Sequence, residues 1–161
     1  MEYKNFEKLF KSHNEARDYI AENPNLLIEG AELVQKEFKV VKGQVDILLK
    51  KQNIFYLVEV KHNGSLYAAR QQLFRYGRMF ERFNPLFQDK QLKYIVVKVQ
   101  KYLGTDIYVY ENLEDILNTR NDYQKIHHER LIKTQNLPEV KKKWKKNWKK
   151  AKEKFIKSNI L

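Results

Sequence analysis

Cysteine is absent from this sequence, which excludes disulfides and thiolate metal sites. Proline occurs three times and glycine five, and no collagenous, low-complexity or linker-like stretch exists. No run approaches the roughly 18 apolar residues that suggest a membrane span. The start, MEYKNFEKLF, is too charged for a secretory signal. These absences lead us to expect a soluble, cytoplasmic protein with no membrane association.

What is present is positive charge, unevenly placed. The 161 residues are 42% hydrophobic and carry a net charge of +12, enough chain for one core with attached elements. Between Glu139 and Leu161 stand 10 Lys and 2 Glu, a net of +8, which leaves 12 − 8 = +4 on the other 138 residues. A basic tail on a nearly balanced body suits a polyanion, and nucleic acid before anionic membrane. A solvated helix that aids solubility is the plainer alternative. Domain limits of 1–137 and 138–161 follow, with Pro138 as the boundary.

Hydrophobic periodicity gives the order of elements. Leu9, Phe10, Ala16, Tyr19 and Ile20 predict a helix over 6–22, ended by Asn23-Pro24-Asn25. Residues 32–40 read as a strand. Val45–Leu49 and Ile54–Val60 are apolar runs about the polar turn Lys50-Lys51-Gln52-Asn53, which predicts an antiparallel hairpin. Asn63-Gly64-Ser65 breaks the chain. Ala69, Gln72, Leu73, Tyr76, Phe80 and Phe83 form one stripe of a helix over 66–83. Strands follow at 92–100 and 105–110, then helices at 112–118, 122–134 and after Pro138. Helix, strands, helix, strands and helices predict an α/β fold, a mixed sheet flanked by helices with a basic helical extension.

Two acids interrupt the hairpin. Asp46 stands within Val45-Ile47-Leu48-Leu49, and Glu59 lies between Val58 and Val60, two residues before Lys61 and on its face of the strand. The acids meet if the sheet bends at one mouth of the hairpin. Converging carboxylates repel and are tolerated when a divalent cation neutralises them. Such a cation polarises a phosphate, and a nearby lysine orients water and stabilises the charge that develops. An ordinary edge strand with Asp, Glu and Lys facing solvent accounts for the spacing equally well.

The segment GQVDILLKKQNIFYLVEVKHNGSLYAARQQLFRY resembles the core of the PD-(D/E)xK, restriction-endonuclease-like nucleases. It is similar in particular to the nuclease domain of archaeal and actinobacterial mismatch endonucleases. The pieces are Glu22-Asn23-Pro24, Gly43-Gln44-Val45-Asp46, Glu59-Val60-Lys61 and Gln72-Leu73-Phe74-Arg75-Tyr76, spread over residues 12–83. The resemblance implies a phosphodiesterase acting on DNA with Mg²⁺ or Mn²⁺. It makes Asp46, Glu59 and the Val60 carbonyl metal ligands, and Lys61 the base or water-orienting group. Gln72 reaches back into the site and Tyr76 lines the same face. The family's glutamate on the first helix is replaced by His13, as in the RecB-like branch, where an imidazole ligates metal. Placed on a stripe with Leu9, Ala16 and Ile20, His13 is expected to face inward, as ligand or as core histidine. Glu15 and Glu22 are the fallback acids. Relatives by fold that cut both strands as dimers imply a homodimer.

In the tail, Val140, Trp144, Trp148, Ala151 and Phe155 recur at helical spacing among lysines. The stripe is expected to pack on the body or a partner, leaving Lys142, Lys145, Lys146 and Lys149 to contact phosphates without base preference. Stacking on unpaired bases and a membrane-surface role are the alternatives. Beside the nuclease stand two other classes, a nuclease fold that grips nucleic acid without cutting and a basic packaging protein. Lysine richness without cysteine also fits a thermophilic archaeon or its virus.

Overall fold

The chain runs β1 (Glu2–Phe6), α1 (His13–Glu22), a 3₁₀ turn (Pro24–Leu26), β2 (Glu32–Val40), β3 (Gly43–Lys51), β4 (Ile54–His62), α2 (Leu66–Phe83), β5 (Gln91–Val99), β6 (Thr105–Tyr110), α3 (Leu113–Asn118), α4 (Arg120–Gln135) and α5 (Pro138–Ile160). This computed structural model describes residues 1–40, 42–83, 89–100, 104–118 and 120–160. Its packing divides it into two units, Met1–Thr119 and Arg120–Leu161. This division falls at 119/120, ahead of the boundary expected at Pro138. Pro138 instead opens α5, a first-turn position where its missing N–H leaves no bond unmade. No helix among the described residues is long and apolar enough to cross a membrane.

The first unit is built on a six-stranded sheet in the order β1-β6-β5-β4-β3-β2. Only β4 and β5 run parallel, and the other neighbours are antiparallel. The parallel pair requires a crossover, which α2 supplies. The expected mixed sheet flanked by helices is what the chain forms. On one face, Ile47, Leu49, Val58, Val60, Ile95 and Val97 share a core cluster with Ala16, Ile20 and Ala21 of α1. Strand alternation sends Leu57, Glu59 and Lys61 to the opposite face, where α2 packs on β4 and β5. Gly77 permits that approach, since a Cβ there would lie 2.6 Å from Tyr94 and 2.7 Å from Leu113.

The first helix begins later than its apolar spacing predicts. Residues 2–6 form the edge strand β1, and α1 starts at His13 after the cap Ser12, whose Oγ accepts the Glu15 N–H at 3.1 Å. Glu15 in turn accepts the Lys11 N–H at 3.2 Å. This Ser-x-x-Glu pattern fixes the start more firmly than the apolar residues before it. Leu9, 50% exposed, lies outside the helix and its stripe.

Candidate active site

The β3–β4 ladder runs from Lys51↔Ile54 to Ile47↔Val58 and stops. Asp46 and Glu59 would be the next pair. Instead the Asp46 side chain takes the place of a ladder carbonyl, its Oδ2 accepting the Val60 N–H at 2.8 Å. On the other flank, Lys36 pairs with Ile47 and Phe38 with Val45, while Glu37 between them adopts φ 53°. The β2–β3 pairing resumes in the same register beyond Asp46, whereas the β3–β4 ladder ends there, and the Asp46 side chain lies beside Glu59.

Glu59 is 3% exposed, and its Oε1 has no hydrogen-bond partner. Burial, and then the charge of Asp46, push its pKa from 4.5 up to about 8, against the pull of Lys61. The Lys61 ammonium donates to Gln72 Oε1 at 2.6 Å. One turn beyond Gln72, Tyr76 is buried against Gly43. A Cβ on Gly43 would fall 2.5 Å from the Tyr76 hydroxyl, so this glycine of the Gly-x-x-Asp step makes room for the tyrosine. Tyr76, expected as a nucleic-acid-binding residue on this face, is 4% exposed.

His13 Nε2 lies 3.2 Å from Asp46 Oδ1, with the His13 side chain 40% exposed. It reaches the acid from the first position of α1, not from the inward stripe expected with Leu9. Glu15 is committed to the helix cap, and Glu22 is exposed at the far end of α1, so neither fallback acid joins the set. Val60 enters through its N–H. The structure thus brings together His13, Asp46, Glu59, Val60, Lys61 and Gln72. Among the described residues, no group of three or more His, Cys, Asp or Glu side chains is arranged to hold a metal ion.

Lys142, Lys145, Lys146 and Lys149 belong to the second unit, exposed on α5. Trp144, Trp148 and Phe155, expected to pack, are 66%, 74% and 69% exposed.

One polar row escapes sequence reasoning. Lys61 pairs with Lys98, Lys98 with Asp106, and Asp106 with Asn5 across four strands. Burial lowers the Lys98 pKa, and nearby Asp106 opposes the shift. Asp106, fully buried, accepts from Tyr3 Oη at 2.7 Å and from Asn5 Nδ2 and Gln100 Nε2 at 2.8 Å each. The only sequence signal is that Lys98 and Asp106 each interrupt an apolar strand.

A mixed sheet between helices thus carries two acids and a lysine at the open end of its β3–β4 hairpin. Residues 12–150 match the family model described as "Endonuclease NucS C-terminal domain", and the chain belongs to that family. It is 33% identical over 105 residues to Endonuclease NucS of Methanocaldococcus jannaschii, covering 64% of this chain and 39% of that protein. It therefore spans about two fifths of the relative's length. Among solved structures, a repair endonuclease from Pyrococcus abyssi aligns over 58% of this chain and 40% of its own, with 23% identity and a TM-score of 0.46. An EndoMS–double-stranded DNA complex aligns over 58% and 38%, with 21% identity and a TM-score of 0.46.

Proposed function

We propose that this chain is a metal-dependent nuclease that hydrolyses phosphodiester bonds in DNA, with Asp46, Glu59 and Lys61 as its reacting groups. The observation that carries the reading is Glu59. It is a buried carboxylate with an unpartnered oxygen, pushed toward its protonated form by burial and by Asp46. A cation held by the two acids would favour their charged forms and so oppose that shift. The donor set fits Mg²⁺ or Mn²⁺, and two carboxylates without a third side chain suit Mg²⁺ in particular, which keeps several waters and takes substrate oxygens. The Val60 carbonyl is the proposed backbone ligand and His13 the side chain nearest to adding a further one.

When bound, the cation would polarise the scissile phosphate and lower the pKa of an attacking water. The chain's own part is positional and electrostatic. Gln72 holds the Lys61 ammonium in place, so that it orients water and balances the negative charge growing on phosphate. Asp46 anchors the splayed end of β4 through Val60 while offering its other oxygen to the site. His13 braces that oxygen from α1. The family and the relative's printed name, Endonuclease NucS, support this reading.

Supercoiled plasmid incubated with the protein tests the proposal. Nicking or linearisation with Mg²⁺ or Mn²⁺ and none with EDTA is expected. A second reading, a nuclease fold that binds DNA without cutting it, is favoured by the absence of a three-side-chain metal group among the described residues. Salt-sensitive binding without cleavage under any metal would select it.

A further inference from the structure

We propose that one flank of α2 is a DNA-backbone site, a ridge formed by Arg75, Arg78 and Arg82 that leads phosphates toward Lys61. The inference deepens the nuclease reading and rests on it only for the direction of the track. The helix is already fixed at the site by Gln72. Its inner face is buried through Ala69, Leu73, Tyr76 and Phe80. The three arginines lie on an exposed flank and have no ion pair among the described residues.

The remaining charges of α2 are committed elsewhere. Arg70 donates to the Ile116 carbonyl, and Glu81, the helix's single acid, accepts from the Tyr94 hydroxyl at 3.2 Å. The ridge is therefore a concentration of guanidinium without ion pairs among the described residues, on an ordered helix with a net positive charge. Two of its members rest on rings, Arg75 at 5.2 Å from the Tyr76 centroid and Arg78 at 5.9 Å from that of Phe74. Such stacking restricts guanidinium motion and so reduces what is lost on binding an anion. With Phe74 and Met79 the arginines line a hollow of about 270 Å³.

Spacing matches the ligand. Arg75 is about one turn beyond Gln72, and the run to Arg82 is about 10 Å at roughly 1.5 Å per residue. A DNA strand carries a charge about every 3.4 Å of axis and winds around it, so the ridge spans two or at most three phosphates. Site and ridge share one helix of the first unit, and a strand lying on the arginines enters the site at Lys61 in a fixed register.

The test is DNA binding in EDTA, measured by fluorescence anisotropy with a labelled duplex across a salt series, using the full chain. Replacing Arg75, Arg78 and Arg82 together with Gln is expected to weaken binding at least tenfold near physiological salt. The slope of log affinity against log salt should become shallower by roughly 2 to 3, at about 0.9 per neutralised phosphate. The Arg→Lys triple variant should keep most of the slope, because its charges remain. If the Gln triple variant loses its fold, the three single substitutions serve, each removing roughly 0.9. An unchanged slope in a folded variant, or no salt-dependent binding by the wild type, overturns the inference. Ridge-dependent binding by a wild type that cuts with no metal overturns the nuclease reading and leaves the ridge standing. Metal-dependent cutting with ridge-independent binding does the reverse.

Discussion

Asp46 accepts the backbone N–H of Val60 at 2.8 Å, so the acid proposed as a reacting group also serves as the last rung between β3 and β4. The same carboxylate faces Glu59 and His13, which couples local sheet geometry to the charge state of the site.

Stability should fall with rising pH through Glu59. Its folded pKa is raised to about 8 from an ordinary 4.5. Between those values the folded chain holds a proton that the unfolded chain has released. The stabilising contribution is therefore complete below 4.5 and lost as pH rises to about 8. Thermal melts of metal-free protein from pH 5 to 9 should show this decline, and Glu59→Gln should flatten it. Added Mg²⁺ should raise the melting temperature more at pH 8 than at pH 5. A Glu59→Gln variant with the wild-type pH dependence would contradict the assignment.

Gln72 should act through Lys61. Losing its carbonyl frees the ammonium without removing it, so Gln72→Ala should lower kcat by about tenfold or more with KM little changed. Lys61→Ala should lower turnover further while leaving Mg²⁺ affinity intact, since a cation does not ligate a cation. The double variant should be no worse than Lys61→Ala alone, because coupled groups are not additive. Additive losses would separate the two residues.

His13 should matter to metal binding. His13→Ala is expected to weaken Mn²⁺ affinity, and His13→Glu to retain activity with Mg²⁺, which prefers oxygen. Calorimetric titration of both ions checks this. Reduced thermal stability of His13→Ala with unchanged metal affinity would make the histidine a brace for Asp46 and nothing more.

The tail lysines should contribute to affinity without specificity. Changing Lys142, Lys145, Lys146 and Lys149 to Gln keeps Trp144 and Trp148 in place. It should weaken binding equally for unrelated duplexes and make the salt slope shallower, by roughly 0.9 for each phosphate no longer neutralised. An unchanged slope in the folded variant would assign the exposed aromatic and basic face of α5 to another partner.

The sequence shows some of this plainly and hides the rest for physical reasons. The hairpin and α2 are legible because their periods are strong, and residues 66–83 emerge with the bounds observed. The start of α1 is not, because Leu9 and Phe10 continue an apolar stripe that only the Ser12–Glu15 cap interrupts. Strand β1 is polar and pairs with β6 about a hundred residues away, beyond the reach of local pattern. Asp46, Glu59 and Lys61 stand out as charges in apolar runs. Their convergence depends on the β3–β4 ladder ending at Asp46, and periodicity carries no record of that. The arginines of α2 are visible as residues, but their shared exposed flank emerges only once the buried face is fixed by packing on β4 and β5.

The carboxylate pair itself is probed by cleavage of supercoiled plasmid with Asp46→Asn and Glu59→Gln beside the wild type, duplex binding in EDTA being measured on the same preparations. Both substitutions keep size and one acceptor oxygen, which at Asp46 can still take the Val60 N–H, while removing the negative charge that a cation needs. The wild type should cut with Mg²⁺, and each variant should lose at least about a hundredfold in cleavage while binding DNA as tightly as the wild type or more so, because repulsion with phosphate is relieved. Full cleavage by either variant would contradict the assignment of Asp46 and Glu59 as the reaction centre.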